Sequence, residues 1–263
     1  MSAWDKIFDQ WNEGRANAPF LFTAGPCSIE DEAQFEEICQ KISDLKLTTV
    51  RGGLNKLRTH RESFQGLREK GKSLSLNVLA KHQLSFVSEI TDPRQVEWMD
   101  DLVGAYQVGS RNMYNYDLLR ELGRSEKPVV LKRAFSATID EWIQASEYVE
   151  KEGNKKVLLC ERGIRSFDSK TRNVLDLGAV AYLKSHSHLP VMVDPSHGCG
   201  RRDLILPLAK AAVAVGADGL MTEIHPRPEN ALSDASQTLN LAEFTQLHDE
   251  VSKLLFHFDR PIV

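Results

Sequence analysis

Four side chains of metal-ligating types stand just past short apolar runs in the sequence. Cys27 follows the run 20–24, His197 follows 191–193, and Glu223 follows 220–221, with Asp234 later in the same segment. Apolar runs bounded by turn residues predict buried strands, and parallel barrels place ligating residues just past such strands. We therefore predict that Cys27, His197, Glu223 and Asp234 meet around one divalent metal ion. A thiolate, an imidazole and two carboxylates suit Zn²⁺, Fe²⁺, Co²⁺ or Mn²⁺ without selecting among them.

Each of these side chains also has an ordinary structural interpretation when it is taken alone. Cys27 could be a packed small apolar side chain, and His197 could bond to loop backbone. Glu223 and Asp234 could be helix caps or solvated charges, and their shared position at strand ends is what favours a metal site. His225 could either stabilise its loop or join the site.

A group of cations occupies the same strand-end positions elsewhere in the chain. It comprises Arg51, Lys56, Arg58, Arg111, Lys132 and Arg162, and the third predicted strand adds Glu89. Any one of these cations alone could be a surface residue or an ion-pair partner. In a chain of net charge −4, however, their convergence predicts binding of more than one anionic group, because Arg and Lys recognise phosphate and carboxylate.

Strands and helices that must position these residues alternate along the sequence. The predicted strands lie at about 20–24, 48–51, 84–90, 105–108, 129–133, 157–163, 191–193 and 219–224. Predicted helices cover about 3–14, 30–44, 66–81, 113–123, 175–185, 201–215 and 238–256, with further helices opening at Asp92 and at the Thr138–Glu141 capping box. Such alternation forces parallel strands with helical crossovers. The number of strands favours a (β/α)8 TIM barrel over an open doubly wound sheet, and the first strand is not followed by GxGxxG.

We predict one catalytic barrel domain over residues 20–263, preceded by a short N-terminal extension over 1–19. Trp4, Ile7, Phe8 and Trp11 recur at helical spacing in that extension. The resulting apolar stripe is expected to pack either on the bottom of the barrel or on another subunit.

Composition narrows the class of protein. With 41% hydrophobic and 27% charged residues, the chain is ordinary for a soluble globular protein, and its slightly negative charge does not suggest nucleic acid or anionic membrane as a partner. It has no apolar run of roughly 18 residues that would span a membrane. We expect no signal peptide, because residues 1–5 are not a basic region followed by an apolar block. Four cysteines without CxxC spacing predict a reducing, cytoplasmic setting without disulfides.

Over about residues 20 to 240 the sequence resembles the 3-deoxy-D-arabino-heptulosonate 7-phosphate (DAHP) synthases, in particular their short microbial subtype (type Iβ-like). The motifs that carry the resemblance are GPCS at 25–28, RGG with KxRT at 51–59, SFQG at 63–66, VGSRNM at 108–113, LKRAFSAT at 131–138, LCERGIRSF at 159–167, VDPSHGCGRRD at 193–203 and EIHPRPENALSD at 223–234. Motifs of this length in this order are highly specific.

The resemblance implies the entry reaction of the shikimate pathway, in which phosphoenolpyruvate, erythrose 4-phosphate and water give DAHP and phosphate. It makes Cys27, His197, Glu223 and Asp234 the metal ligands. It assigns phosphoenolpyruvate to Arg51, Lys56, Ser110, Arg111, Lys132 and Arg162, and the aldose phosphate to Arg58 and Thr59. Lys56 is also expected to act as a general acid toward the aldehyde oxygen, and Glu89 to help handle the water.

One residue departs from the family pattern, since the family usually has proline where this chain has Leu57. Losing proline frees φ and adds an N–H, so we expect weaker aldose binding. We expect that the protein lacks the appended regulatory or chorismate mutase domain of many members, and we expect no built-in feedback inhibition. We further expect a homo-oligomer, a dimer or tetramer, and consider a chorismate mutase as a separate partner or as a fused domain missing from this chain.

Three other functions compete with this interpretation. The sister enzyme 3-deoxy-octulosonate 8-phosphate synthase uses arabinose 5-phosphate, but it carries a KANRS-like loop where this chain has KxRT. A metal-dependent aldolase would not release phosphate from phosphoenolpyruvate. A non-catalytic barrel that serves a separate chorismate mutase is the non-enzyme alternative, which only Leu57 favours.

Overall fold

The computed structural model describes residues 3–14, 18–56 and 62–263. Eight parallel strands close into one barrel in chain order, with the last strand pairing with the first. They are β1 (Leu21–Gly25), β2 (Thr49–Arg51), β3 (Ser85–Ile90), β4 (Ala105–Val108), β5 (Val129–Lys132), β6 (Val157–Glu161), β7 (Val191–Val193) and β8 (Gly219–Glu223). The seam sets Leu21 opposite Gly219 and Gly25 opposite Glu223. The predicted (β/α)8 TIM barrel is therefore confirmed.

Helices surround the barrel and join its strands. They are α1 (Ala3–Glu13), α2 (Glu32–Asp44), α3 (Lys72–His82), α4 (Val96–Met99), α5 (Tyr116–Gly123), α6 (Ile139–Lys151), α7 (Leu177–His186), α8 (Pro195–Cys199), α9 (Ile205–Ala214) and α10 (Leu241–His257). Asp92 caps the turn that leads into α4, as predicted, and Thr138 and Glu141 form the predicted capping box of α6.

Four predicted helices begin at least three residues later than the sequence pattern indicates. One of them is α10, predicted from about 238, which begins at Leu241 after the cap of Asn240. The helix predicted from 113 begins at Tyr116, because the Asn115 side chain accepts a hydrogen bond from Leu118 N and caps the helix there. The helix predicted from 201 begins at Ile205, after a 3₁₀ turn at Arg202–Leu204. Another 3₁₀ turn, Arg68–Gly71, precedes α3, where the prediction was one helix over 66–81.

Side chains of β1 alternate between two apolar layers. Phe20, Phe22 and Ala24 face the helices and belong to the large outer core, whereas Leu21 belongs to the interior of the barrel. The interior layer also contains Val87, Ala105, Val130, Leu158, Cys160, Met192 and Met221. This two-residue alternation is what a strand buried on both faces produces.

Helix α1 closes the bottom of the barrel. Trp4, Ile7, Phe8 and Trp11 are buried and belong to the same cluster as the barrel interior. Trp11 Nε1 donates to Pro19 O at 2.9 Å. Of the two places considered for this stripe, it occupies the barrel bottom of its own chain.

Two properties of the chain bear on its setting. All four cysteines are free and buried, so the prediction that the chain has no disulfides agrees with the structure. Among the described residues, no helix is both long and apolar enough to cross a bilayer.

Candidate active site and metal centre

Four ligand-type side chains converge at the carboxyl ends of β7, β8 and β1, which adjoin in the barrel. Cys27 lies in the turn after β1, His197 on the short helix α8 after β7, Glu223 at the end of β8, and Asp234 in the following loop. One ligand atom from each lies within 4.8 Å of the other three. The barrel thus brings together the set that the sequence singled out.

Short distances join the members of this cluster. His197 Nε2 lies 3.2 Å from Glu223 Oε1 and 3.9 Å from Asp234 Oδ2. Cys27 Sγ donates to Asp234 Oδ2 at 3.1 Å and lies 2.8 Å from Ser233 Oγ. Two carboxylates this close together, joined by a thiolate once Cys27 loses its proton, repel one another, and a divalent cation would offset that repulsion.

The orientation of His197 fits a metal ligand. Its Nδ1 lies 2.7 Å from Asp194 Oδ2, and its backbone N donates to Asp194 Oδ1 at 3.0 Å. Nε2 is left facing Glu223 and Asp234. Histidines that bind metals commonly donate the other ring N–H to a carboxylate in this way, so the residues present fit a divalent ion.

Glu223 is held from three directions. Arg51 donates to Oε1 at 2.9 Å, and Gln237 donates to Oε2 at 2.6 Å. Its own backbone N donates to Ser196 Oγ at 3.0 Å. These contacts fix the carboxylate at the seam of the barrel while its Oε1 still faces His197.

Burial and neighbouring charges together shift the pKa values of this cluster. Burial raises the pKa of the Cys27 thiol well above its usual value, and the charges of Glu223 and Asp234 add to that rise. Burial also lowers the pKa of His197. For Asp234 burial alone would raise the pKa, but the charge of His197, the hydrogen bond from Cys27 and the charge of Arg172 lower it. A cation bound here would instead favour the Cys27 thiolate, because a coordinating thiol loses its proton.

Beside this cluster lies a pocket of about 320 Å³. It is lined by the predicted residues Arg51, Lys56, Glu89, Ser110, Arg111, Lys132, Arg162, His197 and Asp234. Predicted aldose-phosphate residues Arg58 and Thr59, and Leu57 between Lys56 and Arg58, lie outside the described residues. The described anion-binding candidates therefore line the same cavity as His197 and Asp234, two of the four metal-ligand candidates.

The cations of the pocket differ in whether a carboxylate neutralises their positive charge. Lys132 Nζ donates to Asp194 Oδ2 at 2.7 Å, and Lys56 Nζ lies 3.4 Å from Glu89 Oε2. Burial opposes the charge of Lys56, but the neighbouring Cys27 and Glu89 outweigh it and raise the pKa of Lys56. Lys56 is therefore an ammonium at neutral pH.

Arg111 and Arg162 are compensated differently. Within the described part of the chain, neither guanidinium forms a salt bridge with a carboxylate. They instead face the ring of Phe135, at 5.7 and 4.6 Å from its centroid. These two cations are the ones most available to an incoming anion.

Several residues of the site were not singled out in the sequence. They are Asp194, Phe135, Arg172, Ser233 and Gln237. Asp194 could have been found, because it stands three residues before His197 and directly before Pro195, which is the pattern of a helix N-cap. Arg172 lines the pocket, and its NH1 lies 3.1 Å from Gln237 Oε1 and 3.5 Å from Asp234 Oδ1.

His225 supports its loop and does not join the ligand cluster. Its Nδ1 accepts a hydrogen bond from Arg227 N at 2.9 Å. Its Nε2 points to Glu30, at 3.5 Å from Oε2. The alternative that the sequence left open is thus decided in favour of loop stabilisation.

Comparisons with known proteins place this chain in a family. The family model described as DAHP synthetase I family matches residues 10–257. This chain belongs to the DAHP synthetase I family. A Thermotoga maritima protein named phospho-2-dehydro-3-deoxyheptonate aldolase is 43% identical over 250 residues, which are 95% of this chain and 74% of that protein.

One further protein and two solved structures resemble this chain. The 2-dehydro-3-deoxyphosphooctonate aldolase of Syntrophotalea carbinolica is 32% identical over 257 residues, covering 91% of this chain and 89% of that protein. The crystal structure of the Thermotoga maritima DAHP synthase has a TM-score of 0.91 at 42% identity, covering 94% of this chain and 72% of that one. A truncated form of a 3-deoxy-D-arabino-heptulosonate 7-phosphate synthase from Thermotoga maritima has a TM-score of 0.87 at 40% identity. The match covers 94% of this chain and 90% of that one.

Proposed function

We propose that this member of the family is a DAHP synthase, which condenses phosphoenolpyruvate with D-erythrose 4-phosphate and water to give DAHP and phosphate. This is the first step of the shikimate pathway. The observation that carries the proposal is the single cavity in which a four-ligand metal cluster adjoins a set of cations. Both substrates carry phosphate and one of them is an aldehyde, so the reaction needs the cations and the metal site side by side.

Phosphoenolpyruvate is assigned to Arg51, Lys56, Ser110, Arg111, Lys132 and Arg162. These residues come from the ends of four strands, β2, β4, β5 and β6, and all line one pocket. Arg111 and Arg162, which face Phe135 without a carboxylate partner in the described residues, supply uncompensated positive charge. Holding both substrates in attack geometry removes much of the entropic barrier of a two-substrate reaction.

Cys27, His197, Glu223 and Asp234 would hold one divalent ion, with Mn²⁺, Co²⁺, Fe²⁺ and Zn²⁺ as candidates. When bound, such an ion supplies Lewis-acid polarisation of the aldehyde oxygen of the aldose. Asp194 fixes the ring of His197 for this purpose by its contact with Nδ1.

Proton handling falls to Lys56 and Glu89. As C3 of phosphoenolpyruvate bonds to the aldehyde carbon, the aldehyde oxygen becomes a hydroxyl and needs a proton. Lys56 carries that proton as an ammonium with a raised pKa. Glu89 Oε2 lies 3.4 Å from Lys56 Nζ and lines the same pocket, so its carboxylate can take a proton from the water that adds at C2. Phosphate then leaves with the electron pair of its C2–O bond, and the new C2 hydroxyl gives its proton to the departing phosphate and becomes the ketone of DAHP.

Choice of the aldose rests on the loop after β2. Lys56, Arg58 and Thr59 match the family's KxRT pattern, and we assign Arg58 and Thr59 to the phosphate of erythrose 4-phosphate. The higher identity to the heptonate aldolase, 43% against 32% for the octonate aldolase, supports the four-carbon aldose. Leu57, in place of the usual proline, is expected to weaken aldose binding.

A turnover assay tests the proposal directly. Chelator-treated protein is supplied with Mn²⁺, phosphoenolpyruvate and either erythrose 4-phosphate or arabinose 5-phosphate, and the release of phosphate is measured. We expect turnover with erythrose 4-phosphate and a marked preference for it. Preference for arabinose 5-phosphate would indicate the sister enzyme, turnover without phosphate release an aldolase, and no turnover a non-catalytic barrel. Metal analysis of the untreated protein then identifies the ion.

Assembly and setting extend the proposal. We propose that the protein forms a homo-oligomer, a dimer or tetramer. Light scattering coupled to size-exclusion chromatography would give its mass. A chorismate mutase is a candidate partner. Free, buried cysteines support a reducing, cytoplasmic setting.

A further inference from the structure

One aromatic ring stands among the cations of the pocket. Phe135 lies just past β5, and three guanidiniums face it: Arg111 at 5.7 Å, Arg162 at 4.6 Å and Arg165 at 5.3 Å from the ring centroid. Arg111 follows β4, whereas Arg162 and Arg165 follow β6. The ring thus stands between the cations of its two neighbouring strands and also lines the pocket.

Backbone contacts fix the ring between those strands. Phe135 O accepts a hydrogen bond from Arg165 N at 2.7 Å. On the other side, Ala134 N donates to the sulfur of Met113 at 3.2 Å, and Met113 is fully buried. The segment after β5 is therefore tied to the turns after both β4 and β6.

Charge distinguishes these arginines from their neighbour Arg133. Arg133 is paired with Glu161 and Asp176, each at 3.0 Å, so its charge is neutralised inside the protein. Arg162 is as deeply buried as Arg133, yet within the described residues it has the Phe135 ring and Gly163 O as partners and no carboxylate. The face of an aromatic ring attracts a guanidinium without cancelling its positive charge.

We propose that Phe135 is a positioning residue for phosphoenolpyruvate, which acts by holding Arg111 and Arg162 in place while leaving their charge uncompensated for the substrate. A carboxylate in its position would hold the same arginines but neutralise them, and an aliphatic side chain would leave them to repel each other. This inference rests on the proposed function. Phe135 carries no charge and acts on the substrate through the two arginines.

Calorimetric titration of phosphoenolpyruvate into metal-loaded protein, without aldose, tests this role. Phe135→Leu removes the π face and keeps an apolar side chain, and we expect its Kd for phosphoenolpyruvate to rise roughly tenfold, equivalent to about 1.4 kcal/mol. Phe135→Tyr retains the ring and should bind as the wild type does. The matched control is Tyr148→Leu, which removes a ring that Arg120 faces at 5.2 Å outside the pocket.

Steady-state kinetics separate positioning from general damage. We expect Phe135→Leu to raise the KM for phosphoenolpyruvate while kcat, the KM for the aldose and the metal affinity stay unchanged. A Phe135→Leu protein with wild-type affinity, a Phe135→Tyr protein as weak as Phe135→Leu, or a parallel loss of aldose and metal binding would each overturn the inference. Wild-type protein that binds no phosphoenolpyruvate would instead overturn the proposed function as a whole.

Discussion

At the scale of single residues, Asp194 links the two halves of the site. Its Oδ2 lies 2.7 Å from both His197 Nδ1 and Lys132 Nζ, and the residue is fully buried. Burial alone would raise the pKa of Asp194, but the positive charges of His197 and Lys132 and the hydrogen bonds from His197 lower it well below its usual value. One carboxylate thus orients a candidate metal ligand and a candidate substrate-binding cation together.

Replacing Asp194 should weaken metal binding more than it disturbs the fold. In Asp194→Asn the amide cannot offer a charged acceptor to both partners, and we expect metal affinity to fall roughly 10- to 100-fold. Titration of chelator-treated protein with Mn²⁺ measures this. Asp218→Asn is the control, because Asp218 is equally buried and accepts from Lys184 and from Val191 N at the other end of β7. Equal metal affinities in the two variants would contradict the role of Asp194.

The proposed role of Lys56 as a general acid can be tested by substitution. Lys56→Met keeps most of the side-chain volume but removes the ammonium, so we expect kcat to fall by roughly 10²- to 10⁴-fold, as for loss of a general acid, with metal still bound. Turnover and metal content are measured on the same preparation. Lys210→Met, which removes a lysine paired with Glu250 on the outer surface, should leave kcat unchanged. Near-wild-type turnover of Lys56→Met would exclude its role as the acid.

At the scale of secondary-structure elements, α1 should contribute strongly to stability. Trp4 is completely buried against the bottom of the barrel, and truncating a buried tryptophan to alanine costs about 3–5 kcal/mol. We expect Trp4→Ala to lower the free energy of unfolding by that amount in equilibrium urea denaturation. The control Asp9→Ala changes an exposed residue of the same helix and should change stability little. Equal effects of the two substitutions would mean that α1 does not stabilise the barrel.

Local sequence signals were sufficient for the strands but not for every helix start. Most strands contain a short apolar run with turn residues after it, which is a local signal. The number of strands that alternate with helices is what favours a closed barrel over an open sheet. The start of α5 was predicted too early because helical periodicity does not register the Asn115 cap. Likewise, periodicity does not separate the 3₁₀ turn at Arg202–Leu204 from α9.

Some residues of the site have a local sequence signal, whereas others depend on contacts between distant segments. Cys27, His197 and the strand-end cations were found because the position of a residue past a strand is readable from the chain. The contact between Lys132 and Asp194 was not, because it joins the ends of β5 and β7, and no local pattern records that pairing. Phe135 carried no signal either, since an aromatic residue after a strand reads as ordinary core until its three arginine neighbours are seen.

At the scale of the whole molecule, the predicted metal site lies across the seam of the barrel. Its ligands follow β7, β8 and β1, and the β8–β1 pairing is the one that closes the circle. Glu30 joins the same loops, since its Oε1 accepts from Leu232 N at 2.8 Å. A bound ion would therefore connect the first and last strands of the barrel, and metal binding should be linked to global unfolding.

This linkage gives a prediction for stability on metal removal. An ion that binds the folded state alone adds about 2.7 kcal/mol to the free energy of unfolding at a free concentration about 100 times its Kd, and we expect roughly this increment when Mn²⁺ is added to chelator-treated protein in urea denaturation. Cys27→Ala should lose the increment. Cys39 is a buried cysteine of α2 in the outer core. Cys39→Ala should lower the stability of the metal-free protein but keep the increment on adding Mn²⁺. If both cysteine variants retained the full increment, the ion would be binding somewhere other than at the seam.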